Sequence, residues 1–136
     1  MPLLVLRYNV SRDYDHAVGA FRQALSNSPD DYSLWNKLGA TRANAMSCEE
    51  AVPCYVRALE LKPQYGRALA NLGISYGNLG NPQAAAQCYL KALSLNPEAT
   101  HIWGYLTMVF SSMGRADLVD KAAGANCEAF RADFDF

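Results

Sequence analysis

Residues 35–63 read WNKLGATRANAMSCEEAVPCYVRALELKP, and residues 69–97 read LANLGISYGNLGNPQAAAQCYLKALSLNP. Placed one above the other they agree at a spacing of 34: Trp35 over Leu69, Leu38-Gly39 over Leu72-Gly73, Ala51 over Ala85, Tyr55 over Tyr89, Ala58 over Ala92 and Pro63 over Pro97. Subtracting 34 recovers Ala17, Phe21, Ala24 and Pro29. Each slot has a physical reading. Gly39 and Gly73 carry no side chain where one helix presses on the next, and the paired alanines allow close approach from the other side. Pro63 and Pro97 stop a helix, because proline has no N–H to donate. Trp35, Leu38, Tyr55 and Leu59 are the bulky residues that fill the space between helices.

This spacing is that of tetratricopeptide repeats, each a pair of antiparallel helices that stacks on its neighbours. The expected fold is all-α, a helical solenoid with a C-terminal helical cap. Residues 1–30 are expected to form a partial first repeat, a truncated helix A plus helix B. Residues 31–64 and 65–98 form two repeats, and residues 99–136 a degenerate repeat or cap. In phase, helix A of the first repeat spans about Leu3 to Asn9, so an upstream solenoid is expected to be cut away. Leu3, Leu4, Val5 and Leu6 would then form an apolar edge that favours self-association. Downstream, Trp103, Leu106 and Phe110 keep helix-A spacing and Gly114 lies 34 after Gly80. Beyond that, Val119, Ala123, Asn126 and Arg131 replace Ala, Tyr, Ala and Pro, as suits a cap. Phe130, Phe134 and Phe136 are expected to cover the last exposed core.

Composition narrows the function. With 51% hydrophobic and 18% charged residues the 136-residue chain is globular, and a net charge of −1 gives no field for nucleic acid. Cys48, Cys54, Cys88 and Cys127 form no C-x-x-C pair, and His16 and His101 are far from them, so no metal site, cofactor or disulfide framework is indicated. Arg7 interrupts the apolar start, which is too short for a membrane span or signal peptide. Gly73, Gly77 and Gly80 sit in helix-A phase, not in a phosphate loop, and no catalytic residues are identified. A binding module is expected, not an enzyme.

In such solenoids the first helix of each repeat lines the concave surface. There the sequence places Asn36, Lys37 and Asn44 in one repeat and Arg67, Asn71 and Asn78 in the next. Positions 7 or 11 apart return to within about 20° on a helix, so Lys37 aligns with Asn44 and Arg67 with Asn78. Asparagine is a mediocre helix former, and its repetition inside helices calls for a reason. Its amide both donates and accepts, as reading an extended peptide backbone requires, while Lys37 and Arg67 suit a terminal carboxylate.

The run from Leu34 to Thr41, with Ala43-Asn44, Glu49-Glu50-Ala51-Val52, Arg57 to Leu61, Asn71 to Ser75 and Asn78-Leu79-Gly80, resembles the receptors for type-1 peroxisomal targeting signals. The resemblance extends from Tyr8-Asn9 to about Met113-Gly114 and thins after Asp117. It implies a cytoplasmic receptor, cycling to the peroxisomal or glycosomal membrane, whose repeats bind the C-terminal Ser-Lys-Leu-like peptide of cargo proteins. It also implies import-machinery partners engaged through regions absent here, and peptide-binding roles for Asn36, Lys37, Asn44, Arg67, Asn71 and Asn78. The alternative is a co-chaperone-type or scaffold adaptor. Against the carboxylate clamp of co-chaperones, the corresponding positions read Asn36 and Ala40.

Overall fold

The computed structural model describes residues 2–136, with side chains from residue 13 onward. The chain divides into two compact units, Met1–Pro63 and Gln64–Phe136. The first holds α1 (Pro2–Asn27), α2 (Tyr32–Asn44) and α3 (Cys48–Leu61). The second holds α4 (Gly66–Asn78), α5 (Pro82–Leu95), α6 (Thr100–Ser112), the short α7 (Ala116–Ala122) and a 3-10 turn at Cys127–Phe130. The architecture is all-α, as expected, and no strand occurs among the described residues.

The tightest contact in each unit is the one the glycine slots foretell. A methyl group built on Gly39 would lie 2.6 Å from Cε1 of Tyr55, and one on Gly73 would lie 2.6 Å from Cε1 of Tyr89. Both rings are buried, at 2% and 3% exposure. Each tyrosine of the second helix therefore occupies the volume that any side chain on the first helix would need. The last pair departs from this in a complementary way. Thr107 stands in the glycine slot and Ala123 in the tyrosine slot. With no ring to accommodate, Thr107 keeps its side chain and returns its hydroxyl to the carbonyl of Trp103 at 2.9 Å.

The turns between paired helices also repeat every 34 residues. Met46, Gly80 and Gly114 have φ of 63°, 78° and 69°. In each, two carbonyls left over at the helix end are satisfied. Ser47 N–H donates to Arg42 O at 2.9 Å and Met46 N–H to Ala43 O at 3.0 Å. The same pairs recur as Asn81 to Tyr76 and Gly80 to Gly77, then as Arg115 to Phe110 and Gly114 to Ser111. This is the Schellman arrangement, which needs a left-handed residue and so favours glycine. Met46 adopts it without being glycine, with its side chain 91% exposed.

One expectation is corrected here. The first repeat was to break into a short helix A and a helix B, whereas α1 runs unbroken from Pro2 to Asn27. The position 34 before Met46 is Arg12, and no glycine or interior proline lies between Leu3 and Val18. Nothing there favours the left-handed turn, so the helical hydrogen bonds simply continue. The side chains of the apolar edge at Leu3–Leu6 lie outside the described residues.

The connections leading into the first helices are anchored too. Trp35 Nε1 donates to Pro29 O at 2.9 Å, and Trp103 Nε1 donates to Pro97 O at 3.4 Å. Asp31 caps α2 by accepting from Leu34 N at 3.2 Å, and Asn81 caps α5 by accepting from Ala84 N at 3.2 Å. In the second unit α7 is only seven residues long, and the C-terminal segment supplies the missing apolar surface. Phe130 and Phe134 are buried against Phe110, with ring centroids 5.4 Å and 5.7 Å from it. Phe136 is half-buried under the Arg131 guanidinium, 4.0 Å from its ring centre. The expected covering role of this aromatic group holds.

Two stability outcomes follow from these contacts. Gly73→Ala should lower stability by about 1–2 kcal/mol, because overpacking outweighs the roughly 1 kcal/mol by which alanine favours a helix. In a Tyr89→Ala background the same change should become neutral or stabilising, and urea denaturation of all four proteins measures that coupling. Met46→Gly should raise stability by about 1 kcal/mol by relieving the left-handed strain. The thermal midpoint of the single variant reports it.

Candidate functional site

Helix α4 buries Ala68, Leu69, Leu72, Gly73 and Ser75. The other side of the helix carries Arg67, Asn71, Ile74 and Asn78, at intervals of four, three and four. Helix α6 buries Ile102, Trp103, Leu106, Val109 and Phe110, leaving His101, Tyr105, Met108 and Ser112 at the same intervals. The two rows are offset by 34 throughout, so each α4 residue has an α6 counterpart. Both rows line a trough in the second unit whose floor is α5.

The trough consists of two cavities that share Ile74 and Tyr105. One, of about 470 Å³, is lined by Arg67, Asn71 and Asn96 together with His101. The other, of about 620 Å³, is lined by Asn78, Tyr89, Met108 and Ser112. Polarity therefore changes along its length. Arg67 marks the charged end, while Ile74, Tyr105 and Met108 bring exposed apolar surface, at 37%, 37% and 70% exposure. Among the described residues that line the two cavities, none is acidic.

The aromatic groups of the trough are held by one another. Tyr105 lies 5.8 Å from Tyr89 and meets His101 edge to face at 6.0 Å, centroid to centroid. Burial first, and the neighbouring Tyr105 second, push the Tyr89 phenol up to about 12. It therefore keeps its proton, and remains a hydrogen-bond donor, throughout the physiological range.

Three of the six residues singled out in the sequence, Arg67, Asn71 and Asn78, are thus brought to one trough. Arg67 and Asn78 are exposed and Asn71 is half-buried. In the first unit, Lys37 and Asn44 are exposed on α2, at the positions 34 before Asn71 and Asn78. Asn36 differs from the expectation of a shared open face, because it is only 5% exposed. It lies one residue, or about 100° of helix rotation, from Lys37, which turns it inward. The α6 wall was not singled out. Adding 34 to Arg67, Asn71 and Asn78 would have found His101, Tyr105 and Ser112.

The first unit has a different cavity of about 570 Å³, lined by Asp15, Arg22, Arg42, Glu49 and Glu50 among others. It mixes both signs of charge. Beside it Arg42 Nη1 donates to Cys54 Sγ at 3.2 Å. Burial pushes the Cys54 thiol up, against the opposing pull of Arg42, so the sulfur stays protonated. Among the described residues no three His, Cys, Asp or Glu side chains are grouped to hold a metal ion. Nor is any described helix long and apolar enough to cross a membrane.

Comparison with known proteins agrees with this architecture. Two tetratricopeptide-repeat family models match, over residues 6–64 and residues 66–98. The peroxisomal targeting signal 1 receptor of Dictyostelium discoideum is 52% identical over 133 residues, which is 98% of this chain and 21% of that protein. The peroxisomal targeting signal receptors of Candida albicans and Saccharomyces cerevisiae are 48% and 43% identical over 68 and 65 residues, about half of this chain and 11% of each of theirs. The chain thus spans about a fifth or less of the length of these relatives. Among solved structures, a crystal structure of MamA superposes with a TM-score of 0.76 at 26% identity, over 83% of this chain and 64% of that one. The repeat spacing, the paired helices and these matches agree: the chain belongs to the tetratricopeptide-repeat family, and the members it is similar to include the peroxisomal targeting signal receptors.

Proposed function

We propose that the chain is the cargo-reading part of a receptor for proteins bearing a C-terminal Ser-Lys-Leu-like signal, bound for import into peroxisomes or glycosomes. The observation that carries this reading is the second unit's trough, where Arg67, Asn71 and Asn78 stand in one row and no acidic side chain lines the described walls. An extended peptide presents N–H and C=O groups in alternation, and an asparagine amide can answer both. Its terminal carboxylate needs a cation, and Arg67 supplies one in a geometry suited to carboxylates. Lys37 and Asn44 offer the same chemistry on α2. Asn36 is buried on α2, so its amide offers a peptide less than those of Asn44, Asn71 and Asn78. The reading requires no cofactor or metal. It places the receptor in the cytoplasm, cycling to the organelle membrane, with import-machinery contacts made by other parts of it.

The test is a cycle of variants against a labelled Ser-Lys-Leu peptide, as free acid and as C-terminal amide, followed by fluorescence anisotropy. Amidation should remove most of the affinity. Asn71→Ala and Asn78→Ala should each weaken binding by about two- to tenfold, the equivalent of roughly 0.5–1.5 kcal/mol per hydrogen bond. Their melting should hardly change, since alanine is the better helix former. Arg67→Ala and Lys37→Ala should weaken binding more at low salt than at high salt, and be nearly silent towards the amide. Asn36→Lys should cost stability as well as binding, because it forces a cation into a buried position. Equal binding of the free acid and the amide would overturn this function and favour a scaffold adaptor.

A further inference from the structure

Away from the trough, we propose that Ser47 is a phosphorylation site whose phosphate is received by Arg42 and Arg22 in the cavity of the first unit. Ser47 stands just before α3, as Asn81 stands just before α5, 34 residues later. Their side chains differ in use. Asn81 caps α5 by accepting from Ala84 N, whereas the Ser47 hydroxyl makes no cap bond to α3. Instead it lines the cavity of about 570 Å³, together with Arg22 and Arg42. Arg42 is short of an acceptor there. Its Nε is buried without a hydrogen-bond partner, and Glu50 Oε2 stands 4.0 Å from it, beyond hydrogen-bonding distance. Its Nη1 is given to the thiol sulfur of Cys54, a weak acceptor. A buried donor left unpaired costs free energy that a strong acceptor would recover. Ser47 N–H already donates to Arg42 O at 2.9 Å, so the two residues adjoin.

The turn that carries Ser47 is also suited to a kinase. Glu49 and Glu50, two and three residues after it, are exposed and form the acidic flank that acid-directed serine kinases read. Met46, one residue before it, is the non-glycine among the three left-handed turn residues, so this turn is the most strained of the three. Strain favours the local opening by which a kinase reaches a hydroxyl. The kinase moves the γ-phosphoryl group of ATP to Ser47 Oγ. The Oγ–P bond forms, the bond to the oxygen of ADP breaks, and the hydroxyl proton leaves to the kinase. The product adds about two negative charges and three acceptor oxygens, which the two guanidinium groups of the cavity match. Asp15, Glu49 and Glu50 line the same cavity and oppose the phosphate. All three are exposed, so water screens them, while the Arg42 Nε is shielded and its attraction prevails.

The full chain, incubated with a purified acid-directed serine kinase and ATP and mapped by mass spectrometry, tests the site. One phosphate should appear on Ser47, and Ser47→Ala should remove it. The phosphorylated chain should melt about 3–5 °C above the unmodified one. That gain should shrink by half or more in Arg42→Lys, which keeps the charge but lacks the buried N–H, and also in Arg22→Ala. Each variant is compared with its own unmodified form, which separates the phosphate contact from the cost of the substitution. Phosphorus NMR adds a readout that general stiffening does not move. In the folded chain the phosphate should take up its last proton at lower pH than in the same chain unfolded in urea, because the guanidinium groups favour the dianion. A folded chain that accepts no phosphate on Ser47 would overturn the site. So would a melting gain that is absent, or equally large in both arginine variants, or a phosphate that titrates alike in the folded and unfolded chains.

Discussion

A tyrosine ring resting on bare helix backbone sets the geometry of each full helix pair. Where Gly39 meets Tyr55 and Gly73 meets Tyr89, the distance left for a methyl carbon is 2.6 Å, well inside any tolerable contact. The ring and the missing side chain are one device written in two places of the sequence. It holds the paired helices close, so that the alanines at 51, 58, 85 and 92 can be buried against their neighbours. The turn must be short to bring the helices back together. That brevity is why three of the chain's turns fall into the same left-handed, doubly bonded arrangement. Where both halves of the device are lost, at Thr107 and Ala123, the second helix shrinks to seven residues and Phe130 and Phe134 take over its packing.

The readable features were those that act through a fixed spacing. Glycine, alanine, proline and tryptophan slots recur because each makes a local contact at a set distance along the chain, and the structure returns those contacts as expected. Features that depend on a residue's absence were harder to see. Arg12 occupies the turn position of the first repeat, and only the three observed left-handed turns make plain why a helix runs through it. Met46 is the opposite case, since a residue that disfavours the turn adopts it under the constraint of the helices on either side. Cooperative packing overrides propensity there.

The trough was half legible for a related reason. Asparagines and cations drew notice as polar residues inside helices, which located the α4 row. The α6 row carries tyrosine and methionine, and in a helix rich in buried apolar residues these resemble more core. Only the alternation of buried and exposed positions separates them, and that depends on which side of α6 meets α5. Asn36 shows the converse limit. It adjoins Lys37 in the sequence, but one step of helix rotation puts the amide inside and the ammonium outside.

The two tryptophans have a practical meaning beyond their packing. Each unit holds one, Trp35 in the first and Trp103 in the second, and the chain has no others. Each indole is tied through its nitrogen to the carbonyl of the proline six residues earlier, so its surroundings change when that connection opens. The protein thus carries a built-in optical address for each half. Replacing either tryptophan by phenylalanine leaves an emission signal that belongs to the other unit alone. Two such single-tryptophan chains, melted side by side, reveal whether the halves come apart together or in sequence.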